Sequence, residues 1–251
     1  MENSILIKGI QANYKVIGEM GKPLLILHGW DSNSDRWVKV AELLVQKGYM
    51  VIIPDLPGFG KSQEPAIPWN LDSYVDWLKE FTQQLPELGR GFCLLGHSFG
   101  GALASKFSIK YPQQVEKLFL VSAACVRKNA AIKKVFYRIS KLVKLFSFLP
   151  FYPFLRKAVY KFIIRKSDYI YQQGFRKETY LNVILEDLSY KVGFIKIPTF
   201  LIWGDKDTST PLEQAQFLQK KIPHAKLTVI PNADHSLHIK MPDILANKIP
   251  A

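Results

Sequence analysis

The chain has 251 residues, 48% of them apolar and 22% charged, a balance that suits one core-forming globular unit and excludes disorder, collagen-like repeats and coiled coils. Lys and Arg number 34 against 21 acidic residues, giving a net charge of +13, which favours anionic partners without specifying a fold. Two cysteines, Cys93 and Cys125, exclude a disulfide framework and suit a reducing cytoplasm, and neither a leader nor an apolar run of roughly 18 residues is visible.

In chain order, Ile5 to Ile17 reads as two short strands around Gly9, an antiparallel lead-in to a sheet. Pro23 to His28 is a continuous apolar run stopped by Gly29, the pattern of a parallel strand buried on both faces. Arg36 to Gly48 reads as a helix and Met50 to Pro54 as the next buried strand, followed by the turn-rich loop DLPGFGKS from Asp55 to Ser62. Apolar residues at 71, 74, 75, 78, 81 and 85 predict a helix over 71–85, introduced by Asn70 and closed by Pro86. A strand at 91–95, a helix at 101–110 and a sixth strand at 115–124 follow.

This alternation predicts an α/β fold, a mostly parallel doubly wound sheet whose ligands bind at the carboxyl ends of the strands. After Val126 the alternation stops until the strand Pro198 to Trp203. The core is therefore expected over residues 1–126 and 196–251, with 127–195 a helical cap inserted after the sixth strand. A helix at 212–221, a strand at 226–230 and a closing helix at 242–248 complete the core. No internal repeat is visible.

The chemistry starts from Gly96-His97-Ser98-Phe99-Gly100, between the apolar run ending at Leu95 and a helix near Gly101. A sharp strand-to-helix turn lifts a serine hydroxyl clear of the sheet and strains its backbone, which requires small neighbours such as these glycines. The same turn sets the Phe99 amide at a helix N-terminus, where partial positive charge can stabilise an oxyanion. A serine hydroxyl needs a base, and the base needs a carboxylate, in the chain order Ser, acid, His. Of the five histidines, His235 follows the last strand at the edge where Ser98 projects, with His238 as a near alternative. The acid is expected in Gly204-Asp205-Lys206-Asp207, after the strand ending at Trp203, and either aspartate could serve. His28-Gly29-Trp30 ends the first long buried strand, and Gly29 lets the chain turn so that the Trp30 amide supplies a second oxyanion donor. The side chains of His28 and Trp30 are expected to brace the loop.

Taken together, HGW, DLPGFGKS, GHSFGG, the loop from Trp203 to Asp207 with Pro211, and Ala233-Asp234-His235, in that order, resemble the α/β-hydrolase fold superfamily. The resemblance covers nearly the whole chain outside the insertion. It places the acid at Asp207, because Gly204 and Pro211 bracket it in the pattern G-x-x-D-x-x-x-P, and leaves Asp205 a local structural residue. It implies no metal and no organic cofactor. Ser98 in place of a nucleophilic aspartate disfavours dehalogenase and epoxide hydrolase chemistry. The expected activity is hydrolysis of carboxylic esters with an apolar acyl or alcohol part. The rivals are a carbon–carbon bond hydrolase of a dienone-type acid and a non-catalytic ligand-binding or membrane-surface protein with a vestigial triad.

Charge is concentrated in the insertion. Between Arg127 and Lys177 fourteen residues are basic and one, Asp168, is acidic, so the remainder of the chain is neutral. Ile132, Val135, Phe136, Ile139, Leu142, Val143 and Phe146 step by three and four opposite a lysine- and arginine-rich face, and Leu155, Val159, Phe162 and Ile163 repeat the pattern. The plain reading is a cap whose apolar stripe covers the site while its basic stripe is wet. The sharper one adds contact between the basic stripe and an anionic membrane, making a cytoplasmic protein peripheral to that surface. No recognised nucleic-acid motif accompanies the charge, and nucleic acid is not an expected partner.

Overall fold

A computed structural model describes residues 2–127 and 174–251, together with Phe151 and Phe154. The two basic amphipathic stretches read at 132–146 and 155–166 lie outside the described residues.

Among the described residues eight strands form one sheet: β1 (Glu2–Ile7), β2 (Ile10–Ile17), β3 (Lys22–Leu27), β4 (Tyr49–Pro54), β5 (Phe92–His97), β6 (Val115–Val121), β7 (Thr199–Gly204) and β8 (Lys226–Ile230). Their order is β1-β2-β4-β3-β5-β6-β7-β8. The β1–β2 and β2–β4 pairs are antiparallel, and the other pairs are parallel.

Helices cover both faces, as parallel strands require. On one side Leu25, Leu27, Leu94 and Leu120 pack against α2 (Leu71–Gln84) and α3 (Phe99–Lys110). On the other Leu24, Ile26, Leu95 and Val121 meet α1 (Val38–Val45) and, near the C-terminus, Leu245 and Ala246. The period-2 alternation within each strand thus sorts neighbouring apolar residues onto opposite cores. Asn70 caps α2, its Oδ1 accepting from the Ser73 amide at 2.9 Å.

Of the stretch read as an insertion, the described part contains α4 (Gly174–Ile184) and a 3-10 turn at Val192–Phe194. Val183, Leu188, Val192 and Ile195 are buried in the same core as Leu120 and Leu201. α4 is tied to the loop before α2 by two hydrogen bonds, from the Trp69 amide to Thr179 Oγ1 at 3.0 Å and from Asn182 Nδ2 to the Trp69 carbonyl at 3.2 Å. It lies over the carboxyl end of the sheet, with the Tyr180 ring edge-on to Trp30, centroids 5.0 Å apart.

Register determines which loops meet at that end. Leu27 pairs with Gly96, His97 with Val121, Val121 with Ile202 and Gly204 with Ile230. The loops after β3, β5, β6, β7 and β8 therefore leave the sheet side by side.

Candidate active site

Ser98 sits at the turn from β5 into α3 with φ 51° and ψ −114°. Its amide donates to the Val121 carbonyl at 3.1 Å and its carbonyl accepts from the Ala124 amide at 2.9 Å, so neighbouring chain holds the strained turn on both sides. Two glycines leave the space the turn needs. A Cβ on Gly96 would collide with the Gly100 carbonyl, and one on Gly100 with the carbonyl of Leu27. α3 begins at Phe99, two residues before the start expected from the sequence, because glycines at 100 and 101 dilute the helical signal of its first turn.

The acid and the histidine come from β7 and from beyond β8. The Lys206 amide donates to the Ala233 carbonyl at 2.9 Å, joining the two loops. His235 Nε2 lies 3.0 Å from Ser98 Oγ and His235 Nδ1 2.8 Å from Asp207 Oδ2. Since a carboxylate only accepts, Nδ1 carries the proton and Nε2 presents its lone pair to the serine hydroxyl.

Asp207 is 4% exposed, whereas Asp205 faces solvent. Asp207 Oδ1 accepts from the amides of Ser209 at 2.9 Å and Thr210 at 2.8 Å, and Oδ2 accepts from Thr210 Oγ1 at 2.8 Å. Burial pushes this carboxyl up, but the His235 hydrogen bond and charge and the Thr210 amide outweigh it, leaving it below the usual carboxylate range. The structure thus brings Ser98, His235 and Asp207 together and keeps Asp205 apart.

His238, the alternative base, turns away. It is the second residue of α5 (Leu237–Lys240), stacks on Trp37 with centroids 4.5 Å apart, and is pushed down to about 4 by burial and the nearby His235. His28 braces, as expected. Its Nε2 accepts from the Leu56 amide at 2.9 Å, so its Nδ1 carries the proton and donates to the Gly29 carbonyl at 2.8 Å. Burial lowers its pKa, keeping the ring neutral.

The two oxyanion candidates flank the nucleophile. Phe99 is the first residue of α3, where amides have no intrahelical partner. A Cβ on Gly29 would lie 3.4 Å from Ser98 Cβ, so the chain entering Trp30 passes directly against the serine. The Trp30 ring is held edge-on by Phe59 at 4.9 Å, Phe99 at 5.5 Å and Tyr180.

Three supporting groups escaped the reading of the sequence. Thr210 clamps Asp207 through both its amide and its hydroxyl, a local aspartate turn that D-x-x-T could have signalled. Asp55 gathers the Ser34 amide at 2.6 Å, the Lys61 amide at 2.9 Å and Asn13 Nδ2 at 3.0 Å, tying DLPGFGKS to the loop after Trp30. His97 reaches the main chain of His235, a contact between loops with no local sequence signal. Among the described residues no group of His, Cys, Asp and Glu has metal-holding geometry, and no helix is long and apolar enough to cross a membrane.

Fold and site together define a class, that of the α/β hydrolases. Within it, the family model for serine aminopeptidase, S33, matches residues 18–240, and the chain belongs to that family. It is 28% identical over 237 residues to Lipase 1 of Psychrobacter immobilis, covering 86% of this chain and 71% of that one. It is 26% identical over 258 residues to human monoacylglycerol lipase ABHD6, covering 91% and 75%. The solved structure of a meta-cleavage product hydrolase from Pseudomonas fluorescens IP01 superposes with a TM-score of 0.71 at 25% identity, covering 98% of this chain and 94% of that one. The protein is thus a hydrolase with lipase-type enzymes among its relatives.

Proposed function

We propose that this protein hydrolyses carboxylic esters with an apolar acyl or alcohol part through an acyl-enzyme on Ser98. The observation that carries this is the relay from Asp207 through His235 to Ser98, with links of 2.8 and 3.0 Å, and the kinship with lipases supports the choice of ester. Ser98 Oγ attacks the carbonyl carbon as His235 Nε2 takes its proton. The oxyanion is held by the amides of Trp30 and Phe99, each donor contributing roughly 3 kcal/mol to the barrier reduction. The imidazolium, stabilised by the buried Asp207 carboxylate, returns the proton to the departing alcohol. Water, activated by the same histidine, then releases the acid. Ester and water balance the reaction, which calls for no cofactor.

In this reading residues 1–126 and 196–251 are the hydrolase core and 127–195 a basic cap over its carboxyl edge. The Trp30, Phe59 and Phe99 rings, with Tyr180 of α4 against Trp30, supply an apolar wall for the substrate. The test is turnover of p-nitrophenyl esters of increasing chain length, together with fluorophosphonate labelling that disappears in Ser98→Ala. Labelling that persists in that variant would refute the assignment.

One observation favours a second reaction. The likeness to the meta-cleavage product hydrolase supports carbon–carbon bond cleavage of a dienone-type acid on the same site, with the basic cap attracting the carboxylate. Turnover of a dienoic diketone acid faster than any ester would establish that reading.

The cap also supports contact with an anionic membrane. The whole net charge lies between residues 127 and 177, and Phe151 and Phe154 are 81% and 79% exposed. Each basic residue near such a surface contributes about 1 kcal/mol before screening. A cytoplasmic enzyme of this kind should bind anionic vesicles in a salt-dependent way. Equal binding to neutral vesicles removes the role of the basic charge, and no binding to either removes the membrane contact altogether.

A further inference from the structure

His97 stands one residue before the nucleophile, and its ring is buried. Its Nε2 lies 2.9 Å from the carbonyl oxygen of His235. A carbonyl only accepts, so Nε2 carries the proton and donates, which leaves Nδ1 as a bare lone pair. That atom is buried and has no hydrogen-bond partner among the described residues.

The ring is immobilised from several directions. Its centroid is 4.5 Å from that of His238, 4.9 Å from that of His235 and 5.8 Å from that of Trp37. On its far side the Gly29 main chain passes so close that a Cβ there would lie 3.0 Å from His97 Nδ1. One side chain therefore touches the loop of Trp30 and the loop of His235 while adjoining Ser98 in the chain.

The sheet explains why such a contact is needed. β6 and β7 separate β5 from β8, so the loop after β8 starts about 14 Å from the strand carrying the nucleophile, at roughly 4.8 Å per strand. His235 must come back across that gap. Asp207 fixes one ring nitrogen and the Lys206 amide holds the chain at Ala233, but neither fixes the peptide of residue 235, and a ring held through Nδ1 can still turn about that bond away from the serine.

We propose that His97 is a positioning residue, holding His235 in line with Ser98 by donating its Nε2 proton to the His235 carbonyl. This rests on the reading of Ser98, His235 and Asp207 given above. Burial, with His238 and His235 close by, keeps His97 well below the ordinary histidine range. The ring is then uncharged at neutral pH and adds no repulsion to the imidazolium that forms on His235.

The test compares His97→Leu, His97→Gln and His97→Asn, each measured by steady-state ester hydrolysis, fluorophosphonate labelling rate and circular dichroism. A glutamine amide nitrogen stands about as far from Cα as the imidazole Nε2, whereas that of asparagine is one bond short. His97→Leu should lower kcat by about 10- to 100-fold, with KM nearly unchanged and the labelling rate falling in step. His97→Gln should recover most of the loss and His97→Asn little of it.

Wild-type kcat and labelling in folded His97→Leu would overturn the proposal, as would a folded His97→Gln as slow as His97→Leu. Should His97→Leu not fold, the Gln and Asn variants decide, because both are polar and only one reaches. If the wild type is not labelled, or Ser98→Ala retains turnover, the assignment of Ser98 itself fails. An unaffected His97 series in a labelled enzyme removes only the positioning role.

Discussion

Replacing Asp207 by asparagine changes one atom and, from the geometry, should silence the site. Oδ1 of Asp207 accepts the amides of Ser209 and Thr210, at 2.9 and 2.8 Å, so an asparagine there orients its own carbonyl oxygen to keep both bonds. The opposite orientation would set an NH2 group against two N–H donors. The asparagine NH2 then occupies the place of Oδ2, 2.8 Å from His235 Nδ1, and donates where the carboxylate accepted. His235 is driven to the tautomer with its proton on Nε2, aimed at Ser98 Oγ, and cannot act as base. A wrong tautomer costs about four orders of magnitude in kcat, equivalent to about 5.4 kcal/mol in the barrier. Asp205→Asn, a change at an exposed carboxylate on the same loop, should stay within about threefold of wild type. The assay is kcat on a short p-nitrophenyl ester at neutral pH, per folded molecule. A kcat for Asp207→Asn within tenfold of wild type would refute the tautomer argument, and a greater loss in Asp205→Asn would mean that the wrong aspartate has been identified.

Stability should fall with acid before the carboxylates titrate. His238 is lowered from 6.5 to about 4 in the fold, so the unfolded chain binds a proton that the folded one refuses. Its contribution is complete above pH 6.5 and is lost as pH falls toward 4, reaching about 3 kcal/mol. His97 and His28 are shifted the same way. Urea midpoints should therefore drop between pH 7 and 5, and less steeply in His238→Phe; a flat profile would contradict the buried neutral histidines. Gly96→Ala should lower stability by about 2 kcal/mol or more, since the new Cβ meets the Gly100 carbonyl and lies 2.7 Å from Gly101 Cα; a wild-type urea midpoint would show that the elbow can give way. Asn70→Ala removes the cap of α2 and should cost about 1 kcal/mol, a fall of about 2–4 °C in Tm, while Asn70→Ser should restore it.

The strands and helices could be read because their causes are local. A doubly covered strand must be apolar throughout, as at 24–27 and 50–53, and a helix with one wet face must show its period, as over 71–85. Strand order has no such local cause. Nothing between residues 10 and 54 states that β4 lies between β2 and β3. The choice between Asp205 and Asp207 came from the bracketing Gly204 and Pro211, because burial of one aspartate depends on the Lys206 amide reaching Ala233 in another loop. His235 and His238 share one segment, and only the short α5 turns the second toward Trp37. The contact of His97 was invisible for the same reason, since it exists only once the chain after β8 has recrossed the sheet.

The backbone of Ser98 carries a further implication. Its positive φ lies where glycine is at ease and a side chain costs of order 1–3 kcal/mol. A chain answerable only to its own melting point would let this position relax to glycine. Hydroxyl and fold pull in opposite directions at a single residue, and the fold has yielded. A relic that no longer turned over substrate would have no reason to keep that compromise.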